Sequence, residues 1–179
     1  MVGGVSDRAE RVRAETETIL MSLRGVWDET AVDEWDHALQ AAACAVADGA
    51  DDELILAAAL HDIGHSPMLG GPGVADHSRI ARDWIGARFG PRTAWLVGAH
   101  VAAKRHLAAT DAAYAAGLSE TSLVSLAVQG GATVDPAFAA HPWHRDALRL
   151  RRYDDAAKDP SATGAPVQLV LELARRLAR

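Results

Sequence analysis

Imidazole and carboxylate side chains recur along this chain where an ordinary helical core has no use for them. They are His37, the adjacent pair His61 and Asp62, then His65, His77, His100 and Asp154. Neutral imidazole nitrogens and carboxylate oxygens bind iron, manganese or zinc, and an all-N/O set does not itself choose among them. A lone histidine on a helix is usually a satisfied structural residue. It is the conjunction of several that points to a metal centre. Asp62 has two oxygens and so can bridge two ions. If His61 and Asp62 share a helix, where neighbours are about 100° apart, both can reach one metal. His65, at i+4 from His61, is then expected on the same face.

A second set of residues suits an anion. Lys104 follows His100 by four positions and Arg151 precedes Asp154 by three, so each cation shares a helical face with a candidate ligand. Ser122, Ser125 and Gln129, at i, i+3 and i+7, form one polar stripe. Fixed positive charge with hydroxyl and amide donors is what a dianionic phosphoryl or phosphonyl group needs. Taken singly, Lys104 and Arg151 also read as solvated surface charges, and Ser122 and Ser125 as helix-start residues.

The elements that must position these groups are helices throughout. The hydrophobic period predicts them in "DRAERVRAETETILMSLRGV", "VDEWDHALQAAACAVADGA" and "DDELILAAALHDIGH". The third is apolar almost all round and therefore central; Asp51 and Asp52 are its N-cap candidates. "SPMLGGPGVA" reads as a loop. Four more helices follow, in "DHSRIARDWIGARFG", "PRTAWLVGAHVAAKRHLA" (opened by a proline at N1), "SETSLVSLAVQGG" and "HPWHRDALRLRRYDDAAK". After a flexible surface loop, "KDPSATGAP", comes "PVQLVLELARRLAR". With no βαβ alternation, repeat or linker, the expected fold is all-α: one compact helical bundle spanning 1–179, its metal-binding core about 36–158 and its C-terminal helix about 166–179.

Bulk properties narrow the function. The 179 residues are 49% hydrophobic and 23% charged, with a net charge of −6, an ordinary globular balance. An acidic chain is a poor general partner for nucleic acid. No run approaches the roughly 18 apolar residues of a membrane span, and the charged N-terminus lacks a signal-peptide h-region. Cys44, the single cysteine, lies in the apolar run "ALQAAACAVA" and is expected as a packed thiol. The expected location is the cytoplasm. His106, His141 and His144 have no place in the ligand pattern. Trp27, Trp35, Trp84, Trp95 and Trp143 are mainly core candidates.

The order His37, His61-Asp62, Asp154 resembles the HD-domain superfamily, all-α metal-dependent proteins named for that His-Asp pair, and the added His77 and His100 match its di-metal branch. That resemblance implies one metal held by His37, His61, Asp62 and Asp154. A second would be held by His77 and His100 with Asp62 bridging. Most such proteins hydrolyse phosphoesters. The strings "LHDIGH", "GAHVAAKRHL", "SLAVQGG" and "LRLRRYDDAAK" are instead similar to the mixed-valent di-iron oxygenases that cleave the C–P bond of 1-hydroxylated phosphonates.

The implied cofactors are two irons, Fe(II)/Fe(III), with O₂ as co-substrate. The implied substrate is a small organophosphonate, released as phosphate and a carboxylic acid. In that reading His65, Lys104, Ser122, Ser125, Gln129 and Arg151 hold the phosphonate, with His65 and Lys104 at the reacting end. Aminophosphonate members of the branch carry a tyrosine and a glutamate shortly before the first histidine. The matching offsets here hold Trp27 and Thr30, with Asp28, Glu29, Asp33 and Glu34 close enough to substitute after a local shift. The far end of the substrate is therefore expected to differ: a quaternary ammonium facing Trp27, or no amine. A di-metal phosphohydrolase, and a degenerate module that only binds a ligand, remain the alternatives.

Overall fold

The computed structural model describes residues 3–27 and 31–179. Among these there is no strand, and the expected all-α class is what is found. The helices are α1 (Gly3–Met21), α2 (Glu34–Ala47), α3 (Asp52–Leu60), α4 (His77–Gly86), α5 (Pro91–Thr110), α6 (Ala112–Ala116), α7 (Glu120–Val128), α8 (Pro136–Ala139), α9 (His144–Ala156) and α10 (Val167–Leu177), with a 3₁₀ turn at Ile63–His65. None of the described helices is long and apolar enough to cross a membrane.

Helix α3 is the axis of the molecule. Every residue from Leu54 to Leu60 is buried, and α2, α5, α9 and α10 surround it. A helix apolar on all faces loses least by being enclosed on all sides. Around it, α5 packs on α4 and α9, α2 on α9, and α1 on α10. Starts follow local chemistry. The Asp33, Asp51 and Ser119 side chains accept from the backbone N–H of Asp36, Leu54 and Ser122, satisfying donors with no intrahelical partner. Pro91 opens α5 as the sequence implied.

Three expectations are corrected. Helix α3 does not run through to His65. It ends at Leu60, His61 is its C-cap, Asp62 has left helical geometry (φ −106°, ψ 13°), and a 3₁₀ turn follows. Gly64 explains the tight turn, since a Cβ there would lie 2.2 Å from the carbonyl oxygen of His77. Secondly, α6 and α8 had no periodic signal because each is too short to show one. Thirdly, the segment 158–166, expected to be flexible, is tied to α2. Gln40 Nε2 donates to the Asp159 carbonyl at 2.8 Å, the Ala165 N–H to the Leu39 carbonyl at 2.8 Å, and Ala165 is buried.

Of the tryptophans, Trp35 is buried under the Arg24 guanidinium. Trp84, Trp95 and Trp143 are partly buried against the core, while Trp27 is 59% exposed. Cys44 is only partly buried.

Candidate metal centre and anion pocket

Two histidine pairs meet at the end of α3. His37 comes from α2 and His61 from the end of α3, and their Nε2 atoms are 3.2 Å apart. His77 from the start of α4 and His100 from mid-α5 form the second pair, with Nε2 atoms 3.1 Å apart. Their tautomers follow from the other ring nitrogen. Nδ1 of His37, His61 and His100 lies 2.8, 2.8 and 2.7 Å from the carbonyls of Ala157, Ala58 and Val97. A carbonyl can only accept, so each Nδ1 carries a proton and Nε2 is the nitrogen left to meet a cation, a metal ion or a second proton.

The carboxylates bring more acceptors to the same points. Asp154, on α9, places Oδ1 3.5 Å from His37 Nε2 and Oδ2 3.5 Å from His61 Nε2. Asp62 faces both pairs. Its Oδ2 is 3.2 Å from His61 and 3.6 Å from His37, while its Oδ1 is 3.5 Å from His77 and 3.4 Å from His100. That Oδ1 atom is buried without a hydrogen-bond donor.

Converging lone pairs repel unless a cation sits between them. The ligand atoms of His37, His61, Asp62 and Asp154 all lie within 4.8 Å of one another, as do those of Asp62, His77 and His100. The donor set therefore fits two metal ions sharing Asp62. Such a carbonyl-anchored, carboxylate-flanked imidazole is how metal-binding histidines are usually oriented.

The two clusters differ electrostatically. Burial pushes the His61 imidazole down, but Asp62 and Asp154 outweigh it and hold it up at about 10. His37 is raised well above its ordinary value by Asp154, Asp62 and Glu34, also against burial. Burial alone would raise Asp62 and Asp154; the facing charges, His61 for the first and Arg151 then His61 for the second, hold both well below the usual carboxylate range. His100 goes the other way, pushed down to about 3 by burial, which Asp62 only partly offsets.

Beside the clusters opens a cavity of about 590 Å³, lined by His37, Asp62, His77, His100 and Asp154 and by all the expected anion-binding residues: His65, Lys104, Ser122, Ser125, Gln129 and Arg151. Lys104 Nζ donates to Ser125 Oγ at 2.7 Å. Its pKa is brought down to about 8 by burial and by the Arg151 charge. Arg151 is buried, and its Nη1 donates to Asp154 Oδ2 at 2.6 Å. Gln129 caps the C-terminal end of α7 and leaves Oε1 buried without a donor. His65 reaches the cavity because the 3₁₀ turn carries it off the His61 face; its ring stacks on His77 with centroids 4.4 Å apart. His65 therefore does not share a continuous helical face with His61, as the i+4 spacing implied, although it does reach the site.

One cation of the lining was not assigned a role from sequence. Lys158, just past α9, donates from Nζ to Ser122 Oγ at 3.2 Å, giving the anion wall a second ammonium; its position shortly after Asp154 in "YDDAAK" was the available signal. Of the acidic residues expected near the far end of the substrate, Glu34, one turn before His37, is buried and lines the cavity, while Asp28 and Glu29 lie outside the described residues. Trp27 is not among the described lining residues, and Thr30 lies outside the described residues. His106, His141 and His144 gather instead around Phe138 and Trp95, with His141 stacked on Trp95 at 3.7 Å.

No protein-family model matches the chain. It is 38% identical over 165 residues to the hydroxymethylphosphonate dioxygenase of Gimesia maris, covering 83% of this chain and 79% of that one. It is 32% identical over 166 residues to the [1-hydroxy-2-(trimethylamino)ethyl]phosphonate dioxygenase (glycine-betaine-forming) of Leisingera caerulea, covering 88% and 78%. An uncharacterized protein of Acanthamoeba polyphaga mimivirus is 35% identical over 134 residues, covering 69% and 61%.

Proposed function

The chain belongs to the HD-type phosphonate dioxygenases, and from that premise we propose that it cleaves the C–P bond of a small 1-hydroxylated organophosphonate with O₂, using two iron ions. The supporting observation is one carboxylate, Asp62, turning a different oxygen to each of two histidine pairs on the floor of a cavity whose wall carries Lys104, Lys158 and Arg151. His37, His61, Asp62 and Asp154 would hold one iron; His77, His100 and Asp62 the other. An Fe(II)/Fe(III) pair supplies the redox chemistry that O₂ use requires. With hydroxymethylphosphonate, the simplest such substrate, the balance is HOCH₂PO₃²⁻ + O₂ giving formate and dihydrogenphosphate: carbon is oxidised, the C–P bond breaks, and both oxygens of O₂ enter the products.

The protein's own groups act by binding and orientation. Lys104, fixed by Ser125, and Lys158, fixed by Ser122, donate to the phosphonate oxygens. Arg151 adds a guanidinium edge, and Gln129 an amide whose orientation the ligand selects. His65 stands at the reacting end, where a ring held against His77 can donate to an oxygen or deliver a proton. Positioning of this kind is sensitive to displacements of about 1 Å.

The test is aerobic turnover of hydroxymethylphosphonate and of its trimethylaminoethyl counterpart by iron-loaded protein, following phosphate and O₂ together. One phosphate per O₂ supports the reading. Phosphate released from phosphomonoesters under anoxia with manganese, and none from either phosphonate, would establish the phosphohydrolase instead.

A further inference from the structure

Arg151 is followed by two acidic residues, and they treat it differently. A guanidinium has five N–H groups. Asp155 takes two of them: its Oδ2 accepts from Nε at 3.0 Å and its Oδ1 closely from Nη2. The Tyr114 hydroxyl, from α6, also lies 3.0 Å from Nε and is hydrogen-bonded to Asp155. Asp154 receives only one bond, from Nη1 to Oδ2. Tyr114 is itself placed by Asp111, which accepts from the Tyr114 backbone N–H at 3.0 Å and pairs with Arg152 at 3.0 Å.

An arginine beside a single carboxylate prefers to engage both oxygens at once. Were Asp155 absent, Arg151 would be free to take Asp154 that way, turning it from the histidines its two oxygens now face. We propose that Tyr114 and Asp155 are positioning residues, a clamp that keeps Arg151 on one oxygen of Asp154. The clamp leaves Asp154 available to the first metal and one N–H on each Nη available to the substrate anion. The anion half of this inference rests on the phosphonate reading; the metal half does not.

The experiment uses full-length Y114F and D155N proteins. Metal-depleted protein is titrated with Mn(II), and the Mn-loaded protein with inorganic phosphate and hydroxymethylphosphonate; iron-loaded kinetics follow. D155N is expected to weaken the first Mn(II) by about 10- to 100-fold, the usual cost of losing a ligand's supporting partner, and to weaken both anions. Y114F, which keeps the Asp155 fork, is expected to weaken the anions by about 3- to 10-fold, one hydrogen bond's worth. It should leave Mn(II) affinity close to wild type and move KM more than kcat. Wild-type affinities in both variants, or a lowered Tm as the sole change, would overturn the clamp. If wild-type protein binds neither anion, the phosphonate reading fails and the anion half with it, while the Mn(II) titration still decides the metal half.

Discussion

The two candidate metal clusters share Asp62 and little else. The first offers four protein side chains, His37, His61, Asp62 and Asp154, with its histidines raised by flanking carboxylates. The second offers three, Asp62, His77 and His100, with His100 pushed down by burial. The first is therefore rich in negative charge and tightly enclosed by α2, α3 and α9. The second has fewer protein ligands and lies where α4 and α5 border the cavity. Under the proposed function, ligand number and charge, more than ligand type, would separate an anchoring position from one with room for substrate.

The largest expected effect tests what the clusters share. Asp62→Ala removes a ligand from both, so metal analysis should find both ions lost together and kcat/KM down on the order of 10³-fold or more. Retention of one full equivalent would break the bridging account. Lys104→Met comes next. Losing a charged hydrogen bond of about 1.5–3 kcal/mol should raise KM for the phosphonate roughly 10- to 100-fold without changing metal content. The Lys104 pKa of about 8 has a defined sign. Protonated below it, Lys104 attracts the anion; neutral above it, it does not. In wild type kcat/KM should therefore fall as pH rises through about 8, and Lys104→Arg should carry that limb to higher pH.

Gly64→Ala separates the clusters. The added Cβ would strike the His77 backbone and displace that ligand most directly, so the second ion should weaken by about 10- to 100-fold, more than the first. Equal loss of both would show that the clusters act as one unit. The smallest effect is in protons. At neutral pH His61, held at about 10, must give up a proton when the first ion binds, whereas His100, at about 3, has none to give. Calorimetry in buffers of different ionisation heat should find proton release on the first ion exceeding that on the second, and first-ion affinity rising with pH up to about 10.

Much of this was legible because it rests on local chemistry. The 3.6-residue period marked the longer helices and Asp51 the start of α3, and His61-Asp62 with the spaced histidines marked the side chains that converge beside the cavity. What escaped depends on close approach between distant segments. The break after Leu60 is set by Gly64 meeting His77, and nothing within "HDIGH" records that encounter. Tyr114 reaches Arg151 across 37 positions from a five-residue helix, and Lys158 joins the site through Ser122.

The central claim is that this fold holds an iron pair on which a hydroxyphosphonate binds. Metal analysis with EPR of aerobically purified protein tests it most directly. The account predicts two irons per chain and an S = ½ signal from a coupled Fe(II)/Fe(III) pair that changes on adding hydroxymethylphosphonate. Zinc or manganese at both positions without iron, or an iron signal indifferent to the phosphonate, would contradict it.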